Sequence, residues 1–433
     1  MTRVHRAAAT VALCGVLVIG HGREARGQGA APADAVAASQ TDGNPRPSGL
    51  RLSDRGRPTL ELPFGEIQFR GRVAGTVQSP AHDRGSTIPD PGWQSRRLQV
   101  EGTLFKRLEF EVSREFGDAE EPERDTFANV RLSRAFELRG GQFKVPFGRD
   151  ALTGGANLDF VYRSLIGRHL APGRDLGVMA HGRVAGRRVL YQAGYFLHDG
   201  DNARSDETHG GDDAVAGRVV VTPLAGRDGA LAGLQVGAAA VTSSLEDALG
   251  LRGRTVFGEG VFFDRVFVNG RRLRRGVEAA WTMGPLSLSA EHMHVSDERT
   301  GMGTSGTALP TVTAQGWYLA GTWVVTGERK DGRVDPEHGL FGDGLGALEL
   351  TARIERLTFG TESDRLVPAP PALGVVPVAN ADRVVTFGLS WYLTRHLKIA
   401  GNAVFESVLD RERSPAPQDG DFPTAVVQFQ FAL

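Results

Sequence analysis

The sequence predicts an all-β chain, a transmembrane antiparallel β-barrel of 16 strands with inward-folded loops. Three observations carry that prediction. Segments near ten residues long, apolar on one face and charged on the other, recur over more than 300 residues, which is the outer-membrane barrel pattern. Beyond residue 27 no apolar run reaches the length of a membrane-crossing helix, and only helices and closed barrels satisfy their backbone in lipid. The tight turns then fall on one side of the barrel only if the strand number is even.

Residues 1–27 read as a secretory signal peptide. Arg3, His5 and Arg6 form a basic start, 7–20 are apolar, and Ala25 and Gly27 are small residues before a cut near Gln28. Cys14 is the only cysteine and lies within that signal, so the exported chain is expected to form no disulfide. Residues 28–61 are rich in Ala, Pro, Gly, Asp and Arg without an apolar period, which predicts a disordered lead-in. The barrel is expected over 62–433.

Alternation begins in 66–78, where Ile67, Phe69, Val73 and Val77 share one face and Gln68, Arg70, Arg72 and Thr76 the other. In 97–105, Leu98, Val100 and Leu104 oppose Arg97, Gln99 and Glu101; in 108–116, Leu108, Phe110 and Val112 oppose Glu109, Glu111 and Ser113. This is the period of a strand. Further candidates are 126–133, 136–146, 175–184, 188–198, 213–222, 234–241, 255–268, 271–282, 285–296, 313–326, 346–358, 383–393, 397–409 and 423–431. That makes 17, one too many. Tight turns at 106–107, 134–135, 186–187, 283–285 and 394–396 all belong on the periplasmic side. They align only if 255–268 is not a wall strand but part of a long extracellular loop over 242–270, folded inward. The connection 327–345 then becomes a long periplasmic turn.

Strand phase places Arg70, Arg72, Arg97, Arg131, Arg218, Arg272, Arg274 and Arg353 toward the lumen. It places Glu66, Glu101, Glu109, Glu111, Glu115, Glu278, Glu291 and Glu349 there too. These opposite charges balance. The loop after Phe147 does not balance: Arg149, Arg163, Arg168 and Arg174 stand against Asp150 and Asp159. In the second loop Arg252, Arg254 and Arg265 face Glu246, Asp247, Glu259 and Asp264. Near a constriction such arginines attract anions.

The formal net charge of −1 gives no footing for nucleic acid. Only Lys106, Lys144, Lys330 and Lys398 are lysines among 50 basic residues, so Arg, which pairs in fixed geometry with carboxylate and phosphate, supplies nearly all positive charge. Five histidines, His169, His181, His198, His292 and His294, stand in no motif with a nucleophile or further ligands. No catalytic residue, metal or cofactor is therefore expected, and a barrel enzyme is the weaker alternative.

Several stretches resemble the phosphate-selective porin O and P family: RRLQVEGTLF (96–105), GQFKVPFG (141–148), FVYRSL with APGRDLGV (160–178), GVEAAWTMGPLSLSAEH (276–292), GALELTARIERL (346–357) and VVTFGLSWYLTRHLKI (384–399). The resemblance implies an outer-membrane porin of a Gram-negative-type bacterium, a homotrimer passing small anions such as phosphate by passive diffusion. The implied anion path is lined by Arg70, Arg72, Arg97, Arg131, Arg163, Arg168, Arg218, Arg265, Arg272, Arg274 and Arg353. A general diffusion porin for small polar solutes, embedded in the same outer-membrane lipid, is the alternative that the balanced wall charges keep open. The ending VVQFQFAL sets Phe429, Phe431 and Leu433 on one face, an ending that resembles the signal read by the barrel-insertion machinery.

Overall fold

The computed structural model describes residues 48–53, 56–79, 90–117, 123–200, 212–257, 260–330, 332–342, 344–363, 367–370, 377–413 and 421–433. The predicted signal peptide lies outside the described residues. Sixteen strands form the wall. The first eight are β3 (Gly65–Gln78), β4 (Asp90–Leu104), β5 (Leu108–Glu115), β6 (Glu123–Arg131), β7 (Glu137–Lys144), β8 (Arg174–Val184), β9 (Val189–His198) and β10 (Asp212–Val221). The other eight are β11 (Gln235–Leu249), β14 (Phe267–Met283), β15 (Leu286–Arg299), β16 (Leu309–Val324), β17 (Ala347–Thr361), β18 (Asn380–Tyr392), β19 (Leu397–Val408) and β20 (Asp421–Ala432). Every neighbour pair is antiparallel, and β20 closes on β3 with Val426 opposite Gln78 and Ala432 opposite Arg72.

The predicted alternation is visible side chain by side chain. Along β20 the exposed Phe429 and Phe431 interleave with the buried Gln428 and Gln430. A water-soluble sheet would bury the phenylalanines; here the apolar face is outside, as lipid requires. Trp281, Trp323 and Trp391 stand near the periplasmic ends of β14, β16 and β18, and the indoles of Trp281 and Trp391 donate to the carbonyls of Ala230 and Leu345, both at 2.6 Å. Such aromatic girdles mark a bilayer boundary.

Two expectations are corrected. Of the predicted lead-in, 28–47 lie outside the described residues, but β1 (Gly49–Leu52) and β2 (Pro58–Leu62) form a hairpin, and β2 pairs with residues 65–68 at the start of β3. It occupies the part of the β3 edge that β20 leaves open, so hydrogen-bonding groups otherwise exposed at the seam are paired. The second correction concerns 242–270. Residues up to Leu249 extend β11, and 267–270 open β14. Only 250–266 leave the wall, carrying β12 (Gly253–Arg254) and β13 (Val261–Phe263), a hairpin packed inside against β18.

The apolar core lies within the lumen. Phe147, Phe160, Leu165, Ile166 and Leu170 of the segment after β7 cluster with Phe262 and Phe263 of the second segment and with Met293 and Phe359 of the wall. Two inward segments thus fill much of the barrel.

Candidate functional site

The site starts where β7 stops. Pro146 cannot extend the ladder, and Gly148 turns the chain inward with φ 74°. The positive φ favours glycine, the residue with which the motif GQFKVPFG ends. The inward segment then forms α1 (Arg149–Leu152), a turn of 3₁₀ helix (Gly155–Asn157) and α2 (Leu165–His169). Ser164 caps α2 through its Oγ, which accepts from Gly167 N at 3.1 Å.

Carboxylates of the wall hold this segment by its backbone. Glu291 on β15 accepts from Arg149 N at 2.7 Å, Asp150 N at 2.6 Å and the Tyr318 hydroxyl at 2.6 Å. Glu355 on β17 accepts from Leu165 N at 2.6 Å. Asn402 on β19 accepts from Val161 N at 2.8 Å, and Lys398 donates to Leu158 O at 2.8 Å. Glu406 holds the second segment through Val256 N at 2.7 Å. Lys330, on the periplasmic turn of residues 325–346, donates to Asp159 at 2.5 Å and to Glu349. Burial lowers the Lys330 pKa, but the two carboxylates overcome this and hold it above its ordinary value.

The apparent balance of wall charges therefore dissolves. Glu291 and Glu355 serve as anchors for loop amides, and Glu349 closes on Lys330. On the basic side most wall arginines are already paired. Arg70 reaches Glu101 at 3.0 Å, Arg97 reaches Glu115 at 3.5 Å and Arg131 reaches Glu109 at 3.1 Å. Arg218 pairs with Glu278 at 2.5 Å, and Arg353 pairs with Glu355 at 2.9 Å beneath the rings of Phe160 and Tyr162.

Arg272 and Arg274 correct the expectation most sharply. Both are only 1% exposed. Arg272 bonds Asp297 and Asp199, and Arg274 bonds Asp199 and Leu170 O. They form a closed knot and present no free charge to a passing ion. Burial pushes the Asp199 pKa up, but Arg274 and Arg272 outweigh it and hold it at about 2. A carboxyl depressed in the folded state adds stability above its unfolded pKa, and that contribution is lost as pH falls from about 4 through about 2. Asp199→Asn leaves Arg274 without a carboxylate in a dry site. The expected cost is about 3–5 kcal/mol, read as a lower urea midpoint for unfolding of the detergent-solubilised barrel. An unchanged midpoint would refute the knot's structural role.

Three cations are held differently. Arg72 donates to Gln430 at 2.8 Å and Gln94 at 3.4 Å. Lys144 donates to the carbonyls of Ala151 at 2.6 Å and Thr153 at 3.1 Å. Arg163 donates to the carbonyls of Asp150 and, at 2.6 Å, Thr153. Neutral dipoles satisfy these donors without cancelling their charge. The three converge on residues 150–155: a Cβ on Gly155 would lie 2.6 Å from Arg72 Nη1. Burial lowers the Arg163 pKa, with Asp150 opposing and Arg174 adding to the effect. Arg174 is itself bound to Asp125 at 2.9 Å.

Arg168 is exposed in the lumen and donates to Val256 O, joining the two inward segments. Arg265 is half-buried in the second segment and partnered. Below the first segment lies a cavity of about 830 Å³, whose lining includes Arg149, Arg183, Arg329 and Lys330 against Asp150 and Asp159. Of the predicted residues, Arg72 and Arg163 thus meet at the loop with donors taken up by neutral groups, while Arg168 lies at the second segment, beside Val256. Lys144 was missed. Strict parity sends it to the face opposite the buried Phe143, but it is the last residue of its strand, and its long stem carries the ammonium over the loop. Asp199 was missed because it follows β9 outside any period.

His292 and His294 fall on the outward face, and no group of three or more metal-ligating side chains is found among the described residues. A family model described as phosphate-selective porin O and P matches residues 83–433. No curated protein sequence matches. Among solved structures, the chain is similar to the outer-membrane protein OmpT of Vibrio cholerae, at 12% identity and a TM-score of 0.53, covering 87% of this chain and 100% of that one. It is similar to the anion-selective porin from Comamonas acidovorans at 14% identity and a TM-score of 0.51, covering 85% and 100%. A Salmonella typhi OmpF complex with daunomycin matches at 12% identity and a TM-score of 0.51, covering 85% and 98%. At such identities the likeness concerns the fold.

Proposed function

Because this chain belongs to the phosphate-selective porin O and P family, and is therefore an outer-membrane porin, we propose that it passes small anions of the phosphate type. Family and fold point to a channel rather than an enzyme. The observation that carries the anion reading is the trio Arg72, Lys144 and Arg163, whose donors are met by amides and carbonyls instead of carboxylates. An anion at the inward segment gains attraction from each, while the lumen-wall ion pairs around it contribute little net field. The charge-assisted bonds such groups offer are strong, but spread over several sites they leave binding weak enough for release. Arg168 lies further along, at the second segment, and the cavity lined by Arg149, Arg183 and Arg329 lies beneath, so an anion meets positive charge at several levels.

The test is reversal potential across a planar bilayer in a KCl gradient, repeated with phosphate added to one side. Expected are a potential set by the anion and a chloride current reduced by phosphate. A cation-set potential would leave a general diffusion porin. Equal chloride currents with and without phosphate would keep anion passage and remove the phosphate preference.

The same proposal includes a homotrimer, in line with the trimer form of the similar Vibrio OmpT. Native mass spectrometry in detergent reads this directly, and monomer alone at high protein concentration would refute it. It also includes export with loss of residues 1–27, and recognition of the terminal Phe429, Phe431 and Leu433 face by the insertion machinery.

A further inference from the structure

The outward face of β14–β18 carries charge where lipid should lie. Arg275, Arg356 and Arg383 are exposed on it, with His294 half-buried and Gln315 and His292 exposed between them. They alternate with lumen-facing neighbours such as Arg274, Glu355 and Asp382, which are buried.

Their height is uniform. Arg275, His294, Gln315, Arg356 and Arg383 each stand eight residues from an apolar residue at the periplasmic end of the same strand: Met283, Leu286, Trp323, Leu348 and Trp391. At a rise of about 3.3 Å per residue and a tilt near 40°, eight residues climb about 20 Å. The apolar band of such barrels is about 25 Å tall, so this row lies close to the outer-leaflet headgroups. Trp317, opposite both His292 and Arg356, supplies an interfacial aromatic at the same level.

The pairing within the row is unusual. Arg356 stands directly opposite Arg383, and Arg275 directly opposite His294. Like charges directly opposite each other, as in Arg356 and Arg383, destabilise a sheet. Within these five strands the outward-facing carboxylate is Glu298, which bonds Arg271 at 3.3 Å; Glu362, one residue past β17, lies within electrostatic reach of His294, and among the described residues no carboxylate bonds Arg356 or Arg383. Two adjacent guanidinium groups facing headgroups, with no acid between them, suit a shared anion with several acceptor oxygens. The row spans four strand spacings, about 19 Å, so a headgroup with two phosphates can reach both Arg356 with Arg383 and Arg275 with its neighbour His294.

We propose that this face holds a phosphorylated glycolipid of the outer leaflet, with one phosphate bridged between Arg356 and Arg383 and a second near Arg275 and His294. The inference rests on the outer-membrane location and is independent of anion selectivity, because these side chains lie outside the lumen.

The test uses the full barrel in dodecyl maltoside, with bisphosphoryl lipid A and its fully dephosphorylated form as probes and native mass spectrometry as readout. Lipid A is expected to stay bound to the wild-type barrel, and the dephosphorylated form to be lost. Each basic residue at a lipid surface contributes roughly five-fold, so Arg356→Gln with Arg383→Gln should weaken binding by about twenty-five-fold. Unchanged single-channel conductance of the double variant certifies the fold; should it not fold, Arg275→Gln alone should weaken binding by about five-fold. Equal retention of both lipids, or undiminished lipid A binding in the folded variant, overturns the proposal. A variant that loses its oligomer while keeping lipid A would also overturn it and assign the face to contact between copies.

Discussion

Replacing Arg72, Lys144 and Arg163 together by glutamine is expected to abolish anion preference while the barrel still folds. All three lie around residues 150–155 of the inward segment. At about 6 Å each attracts a unit anion by roughly 0.7 kcal/mol even at the dielectric of water, and by about 2.8 kcal/mol at an effective dielectric of 20. The lower figure alone, taken three times, is about 2 kcal/mol, or on the order of a thirty-fold change in anion-over-cation permeability. Glutamine keeps a donor for the loop carbonyls, so the substitution removes charge with least damage to the segment. Reversal potentials in a KCl gradient measure the effect. A folded triple variant with wild-type selectivity would remove these residues from the mechanism. Arg272→Gln with Arg274→Gln makes the contrast: those guanidiniums are locked onto Asp199 and Asp297, so the change should damage stability far more than selectivity in whatever fraction folds.

Glu291→Ala should open the channel. This carboxylate is the acceptor for the backbone amides of Arg149 and Asp150 and for the Tyr318 hydroxyl. Hydrogen bonds to a charged group are worth about 1.5–3 kcal/mol each, so the two lost from the segment cost about 3–6 kcal/mol of attachment at its start, while the third joins Glu291 to the wall residue Tyr318. The remaining anchors at Glu355, Asn402 and Lys398 hold its later part. The wall should persist, because the ladders on both sides of β15 do not involve this side chain. Expected are higher single-channel conductance and a fall in anion selectivity, since α1 and the carbonyls that gather Lys144 and Arg163 are displaced together. Conductance and selectivity both unchanged would show that Glu291 is not what keeps the segment in place. Glu291→Gln retains one acceptor and should fall between the two.

These expectations rest partly on what was legible in the residues alone. Period-two alternation with apolar residues outward, the tight turns and their parity determined 16 strands, and removing 255–268 from the wall agreed with the inward hairpin at 253–263. They are legible because each depends on neighbours one or two residues apart, and a strand's side chains alternate whatever lies beyond it. Pro146 and Gly148 likewise marked where the chain leaves the wall, since backbone restrictions act locally. Local pattern also misled at 49–62, where no apolar period announced a hairpin whose partner is the open edge of β3.

Which charges act was decided only by the tertiary structure. Phase correctly aimed Arg272, Arg274, Glu291 and Glu349 inward, yet two of these are tied into the Asp199 knot, one anchors a loop and one closes on Lys330. Lys144, which no sequence reading placed at the site, is one of three cations held there by neutral groups. The physical reason is the range of the interactions. Side-chain direction follows from the residue's own strand, but the field of a charge depends on what stands within a few ångströms of it. In this barrel those neighbours come from segments up to 358 residues apart, as between Arg72 and Gln430.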